Sequence, residues 1–221
     1  MTDVATGWTE VRAVKNKAQR WVFEALQQVQ ADLPFPLAGI DSDNGSEFIN
    51  QELYRYCTDR RITFTRARPQ RKNDNCYVEQ KNWSVVRRAV GYLRYDTDAE
   101  LAILQELYGH LRLWVNFFCP QMKLKDKTRQ GAKVTKHYDI ARTPYQRVLA
   151  STQVSAKAKA ALKGRYATLN PAQLKRDIAR CQDRLLKQAK LKEERRAKGV
   201  RSTAASRTFP VRQRSTRSRA S

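Results

Sequence analysis

Histidine is scarce, with two residues in a chain of 221, and the four cysteines (Cys57, Cys76, Cys119, Cys181) form no CxxC pair. Without that spacing a zinc finger is not expected, and the thiols read as reduced groups of a cytosolic protein. No run approaches the 18 consecutive apolar residues of a membrane span, and the N-terminus lacks the basic-then-apolar order of a signal peptide. No membrane association is therefore expected. Acid is also in short supply, with 21 Asp and Glu against 44 Lys and Arg, a net charge of +23. That imbalance favours a polyanionic partner, either nucleic acid or an anionic surface. The length suits one or two domains with a sizeable core.

The charge is unevenly placed. Residues 1–150 hold 24 basic and 17 acidic side chains, whereas residues 151–221 hold 20 and 4. The last stretch, GVRSTAASRTFPVRQRSTRSRAS at 199–221, has Phe209 and Val211 as its bulky apolar anchors and reads as a disordered Arg/Ser arm. Such an arm can neutralise phosphates without reading bases, or serve as a solubilising tail.

Periodicity predicts the elements. WTEVRAV at 8–14 alternates like a strand, and residues 17–33 place Val22, Leu26, Val29 and Leu33 on one helical stripe that Pro34 and Pro36 end. LAGID at 37–41 predicts a strand, DNG at 43–45 a turn, and residues 46–58 a helix with Ile49, Leu53 and Tyr56 inward. ITFTR at 62–66 reads as a strand, ARPQRKNDN at 67–75 as a basic loop, and residues 76–94 as a helix burying Val78, Val85, Ala89 and Leu93. The next helix, 98–118, carries Leu104, Leu107, Leu111, Trp114 and Phe118, followed by a Lys/Gly-rich loop at 121–137. Beyond it come a helix at 156–169 and a second one capped by Asn170, with Pro171 at its first position and Leu174, Ile178, Cys181 and Leu185 on one face. Trp21, Trp83, Trp114 and Phe118 are assigned to core packing, and His110 and His137 to no chemistry. Alternating strands and helices imply an α/β layer.

Two carboxylates stand out by their setting. Asp43 follows a short strand, Glu79 sits in the first turn of a helix, and Arg66, Arg68, Arg71, Lys72 and Lys81 lie close in sequence. Acids within a basic surface suit divalent ions held against phosphate; the alternative is a pair of ordinary surface acids. Asp41, two residues before Asp43, shares its face on an extended strand and is either a ligand or a supporting group. Asp74, between Asn73 and Asn75, is read as a helix cap.

SDNGSEF at 42–48 and RPQRKNDNCYVEQ at 68–80, with 35 residues between Asp43 and Glu79, resemble the catalytic core of DDE-type transposases and retroviral-type integrases, specifically those of bacterial insertion sequences. TDVATGWTEVRAVKNK at 2–17 is similar to the second and third strands of that core, and ARTPYQRVLAS at 141–151 to the segment just after it. The resemblance implies a ribonuclease-H-like mixed sheet flanked by helices. It also implies Mg²⁺ (or Mn²⁺) at Asp43 and Glu79, which match the second and third acids. Its partners would be double-stranded DNA, as transposon ends and target, and self-association fits a family that acts as multimers. Arg68, Arg71 and Lys72 become phosphate contacts; Lys81 and Arg88, seven apart on one helix, join them by geometry.

The first acid has no match in the aligned segment. The resemblance therefore implies an N-terminally truncated core that binds metal weakly at most and on its own neither cuts DNA nor folds robustly. The expected divisions are a core lacking its first strand (1–120), a linker and post-core segment (121–155), a basic helical hairpin (156–198) and the disordered tail (199–221). A bacterial cytoplasmic, nucleoid-associated location follows. The competing readings are a basic DNA-binding protein without catalysis, and an interaction partner that inhibits a full-length transposase.

Overall fold

The structure, a computed structural model, describes residues 1–42, 51–67 and 81–205, with side chains to residue 196. In chain order the elements are α1 (Gln19–Asp32), β1 (Gly39–Ser42), α2 (Gln51–Asp59), β2 (Thr63–Arg66), a π-helical segment (Asn82–Arg87) running into α3 (Arg88–Val90), α4 (Asp98–Phe118), β3 (Leu124–Gln130), β4 (Lys133–Tyr138), α5 (Pro144–Ala150), α6 (Ala156–Thr168) and α7 (Pro171–Ala205). The chain is mixed α/β, with two two-stranded sheets among the described residues. No described helix is long and apolar enough to cross a membrane.

Helix α4 organises the core. Its start is fixed by a capping box: Thr97 Oγ1 accepts from the Glu100 amide at 3.2 Å and Glu100 Oε2 accepts from the Thr97 amide at 3.0 Å. One side of α4 presents Ile103, Leu107, Leu111 and Val115 to Ile178, Cys181 and Leu185 of α7 and to Val85. Farther along, Phe117 joins Trp8, Tyr145, Val148, Val154 and Leu162 in a second cluster that ties α5 and α6 to the N-terminal segment. Each fully buried aliphatic side chain here is worth roughly 1.5–3 kcal/mol. The α7 stripe and its cap match expectation, since Asn170 Oδ1 accepts from the Gln173 amide at 3.1 Å. Rather than forming a separate hairpin with α6, however, α7 lies along α4. It also continues to Ala205, past the expected boundary at 198.

A third cluster, Leu53, Cys57 and Ile62 with Phe23, Leu26, Ile40 and Phe64 packed around it, holds α1 and α2 against the β1–β2 sheet. β1 and β2 are parallel, paired Gly39↔Thr63, Ile40↔Phe64, Asp41↔Thr65 and Ser42↔Arg66. Helix α2 is thus the crossover of a β-α-β unit.

Three expectations are corrected. Residues 8–14 form no strand; an isolated antiparallel bridge joins Thr2 to Thr9, and Asn116 takes the place of a neighbouring strand. Its side-chain oxygen accepts from the Thr9 amide at 2.8 Å and its NH₂ donates to the Thr9 carbonyl at 2.8 Å. Alternation in 8–14 reports which side chains are buried, but a strand also needs a partner backbone. The helix expected to reach Arg94 stops at Val90, because Gly91 turns into positive φ (68°), which few other residues adopt without strain; Leu93 is consequently exposed. Finally, the expected loop at 121–137 contains the antiparallel β3–β4 hairpin.

Candidate nucleic-acid interface

The two segments that carry the sequence-predicted acids leave the same end of one sheet. In a parallel pair both chains exit at their carboxyl ends, and the Ala67 amide donates to the Ser42 carbonyl at 2.9 Å. Ser42 and Ala67, the last described residues before the segments that carry Asp43 and Glu79, therefore lie side by side. Asp43, Glu79, Arg68, Arg71, Lys72 and Asp74 themselves lie outside the described residues, as do Ile49, Cys76, Val78 and the tail from 206. Carboxyl ends of parallel strands are where open α/β sheets assemble sites.

Asp41 is described. It is exposed, and its Oδ1 accepts from Thr65 Oγ1 at 2.8 Å across the β1–β2 register, which fixes its carboxylate at this sheet end.

Lys81 and Arg88, expected on one helical face, diverge. The π-helical winding of 82–87 advances less per residue than an α-helix, so positions seven apart do not return to the same face. Lys81 turns inward to donate to Gln121 Oε1. Burial, with the charge of Lys123, lowers its pKa. It is an anchor rather than a free phosphate contact. Arg88 stays exposed with its guanidinium 5.9 Å from the Trp83 ring centre. Trp83, assigned to the core from sequence, is 60% exposed. Tyr92 is also exposed, and Arg87 lies over its ring at 4.9 Å. Exposed aromatics beside arginines suit base or sugar contact.

One strongly positive, fully exposed surface is the hairpin, which sequence reading missed. Every residue from 124 to 138 is exposed, and Lys125, Lys127, Arg129, Lys133 and Lys136 face one acid, Asp126. With both faces in water no apolar period marks the strands; the remaining signal was Gly131 ahead of a run, KVTKHY, with β-favouring Val, Thr and Tyr. The hairpin is firmly rooted. Arg147 donates to Asp139 through two nitrogens, at 2.6 and 3.1 Å, and to the Gln121 carbonyl at 2.8 Å. Asp139 also accepts from the Lys123 amide at 2.6 Å. The Arg147 bonds, then that amide, hold the Asp139 carboxyl at a pKa of about 2.

Glu106, His110 and Cys181 bring one possible ligand atom each within 4.8 Å, a cluster that sequence spacing did not show because Cys181 arrives on α7. A thiol and an imidazole suit Zn²⁺ rather than Mg²⁺. Arg184, however, already donates to Glu106 Oε2 at 2.6 Å and holds that carboxyl below its usual range. Burial, then the bond to Glu106, pushes the Cys181 thiol up, away from the thiolate a metal needs. The trio therefore reads as part of the α4–α7 packing.

No family model matches the chain. A curated protein of Sinorhizobium fredii, named uncharacterized protein y4rM, is 46% identical over 138 residues, covering 62% of this chain. The chain spans 39% of that protein's length.

Proposed function

We propose that the chain binds double-stranded DNA and is part of a DDE transposase-type, phosphodiester-processing protein, its β1–α2–β2 unit contributing to a ribonuclease-H-like core. The observation carrying this reading is the parallel register of β1 and β2, which sends the segments bearing Asp43 and Glu79 from one sheet end with Asp41 already fixed there.

Ions of the Mg²⁺ or Mn²⁺ kind at Asp43 and Glu79 would supply charge neutralisation and activation of the attacking oxygen. The chain's own residues would hold the polyanion. Arg88, with Arg68, Arg71 and Lys72, would take phosphates near the acids, and the hairpin would take them farther out. Two acids where the family uses three leave the chain, taken alone, a DNA binder that does not cut. Non-catalytic binding is the second reading, favoured by a basic hairpin that needs no carboxylate.

Titrating the purified chain into a labelled DNA duplex across a salt series, then incubating it with supercoiled plasmid and Mg²⁺ or Mn²⁺, separates these. Binding that weakens steeply with salt, without nicking, is expected. Metal-dependent nicking lost on Asp43→Asn would establish a complete enzyme instead, and failure to bind duplex at low salt would remove the DNA assignment altogether.

A further inference from the structure

We propose that the β3–β4 hairpin is a DNA-docking ribbon that lies along a duplex with its Lys127, Arg129 and Lys136 face on the phosphates. The inference rests on the DNA-binding reading and deepens it by naming the element that grips.

The cross-strand register decides the face. Lys127 stands opposite Lys136 and Arg129 opposite Val134, so these side chains share one side, while Thr128 opposite Thr135 and Gln130 opposite Lys133 share the other. Two like charges directly opposite each other destabilise a free ribbon. An isolated two-stranded hairpin is marginal in water, and this one buries nothing to compensate. It nonetheless keeps an unbroken register from Asp126 to Gln130, after an irregularity between Leu124 and Asp126, and Gly131, with φ 59°, occupies the first position of a two-residue turn that suits the strands' twist. The Arg147–Asp139 clamp holds its base. A rooted, exposed element carrying an unbalanced basic face gains its stabilising counter-charge from outside the chain.

Duplex DNA is the partner whose shape fits. A seven-residue strand spans about 24 Å, and a two-stranded ribbon enters a B-form major groove about 12 Å wide. The deep, narrow major groove of A-form RNA does not admit one. Single strands call for aromatic stacking platforms, whereas the ribbon's aromatics, His137 and Tyr138, sit at its root. The ribbon also springs from the right corner. Gln121, at its base, accepts from Lys81, and Lys81 is where the chain re-enters after the segment carrying Glu79.

The test compares the full chain with Lys127→Ala/Arg129→Ala/Lys136→Ala and with a control that removes equal charge from exposed α6 positions, Lys157→Ala/Lys163→Ala/Arg165→Ala. Fluorescence anisotropy on a 30-base-pair duplex over a salt series reads the slope of log K against log salt. The ribbon variant should lose about 2.7 from that slope, three phosphate contacts at about 0.9 each, and bind at least about tenfold more weakly at moderate salt. The α6 variant should keep the slope. Equal losses in both variants, or an unchanged ribbon variant, would overturn the ribbon while leaving DNA binding by the chain intact. Tighter binding of duplex RNA or single-stranded DNA by the native chain would overturn the fit argued here. A native chain that binds no duplex at all would remove both this inference and the reading beneath it.

Discussion

Asn116 does for Thr9 what a neighbouring strand would do. Its amide supplies one acceptor and one donor to a buried backbone, and its own exposure is 1%. Asn116→Ala leaves both Thr9 groups without partners at about 1–3 kcal/mol each, so urea unfolding should report a loss of about 2–6 kcal/mol. Asn116→Asp sets a second oxygen against the Thr9 carbonyl and buries a charge, so it should destabilise at least as much as Asn116→Ala. Asp96 and Asp139 both contribute to the pH response. Asp96, held by Lys192 and Arg196, and Asp139, held by Arg147 and the Lys123 amide, both have folded pKa values of about 2 against 3.8 when free. A carboxyl whose folded value is depressed contributes fully above its unfolded pKa and loses that contribution as pH falls through the folded one. Thermal unfolding midpoints should therefore decline from about pH 4 toward pH 2, and Asp96→Asn/Asp139→Asn should flatten the decline while lowering the plateau above it.

At the scale of elements, legibility followed burial. Helices α4 and α7 could be read because their apolar residues recur on one face, and because Asn170 with Pro171 marks the start of α7; the Thr97–Glu100 cap of α4 emerged only in the structure. Leu185 and Leu186 make the point locally. The first is 1% exposed against α4 and the second 46% exposed, one residue apart. Leu185→Ala should cost about 2–5 kcal/mol, whereas Leu186→Ala should stay within about 0.5 kcal/mol, both from denaturant midpoints. Where nothing is buried, the pattern carried no message, which is why the β3–β4 hairpin read as a loop. The π-helical winding of 82–87 was equally invisible, since composition says little about whether a turn closes on its fourth or fifth residue. It undid the pairing of Lys81 with Arg88 and exposed Trp83. For the candidate site, the strands that launch both acid-bearing segments were legible from LAGID and ITFTR; their parallel register was not, because pairing is a long-range choice.

For the molecule as a whole, the question is how its positive charge divides between elements that position DNA and elements that only attract it. The α4–α7 packing makes the C-terminal helix part of the folded body, so its lysines and arginines sit at fixed places along it. Arg207, Arg212, Arg214, Arg217 and Arg219 follow beyond the described residues, in a stretch too poor in apolar groups to build a core of its own. A cationic arm contributes to affinity through counterion release, and that contribution is indifferent to where on the duplex it lands. A rooted ribbon contributes through the same electrostatics but also fixes orientation. Replacing all five arginines with Gln should therefore lower the salt slope by up to about 4.5, with hydroxyl-radical footprints on a fixed duplex unchanged in position once protein is raised to saturation. The ribbon variant should blur those footprints at matched occupancy. If the arm variant shifted the footprint and the ribbon variant did not, orientation would belong to the tail, and the folded body would be its passenger.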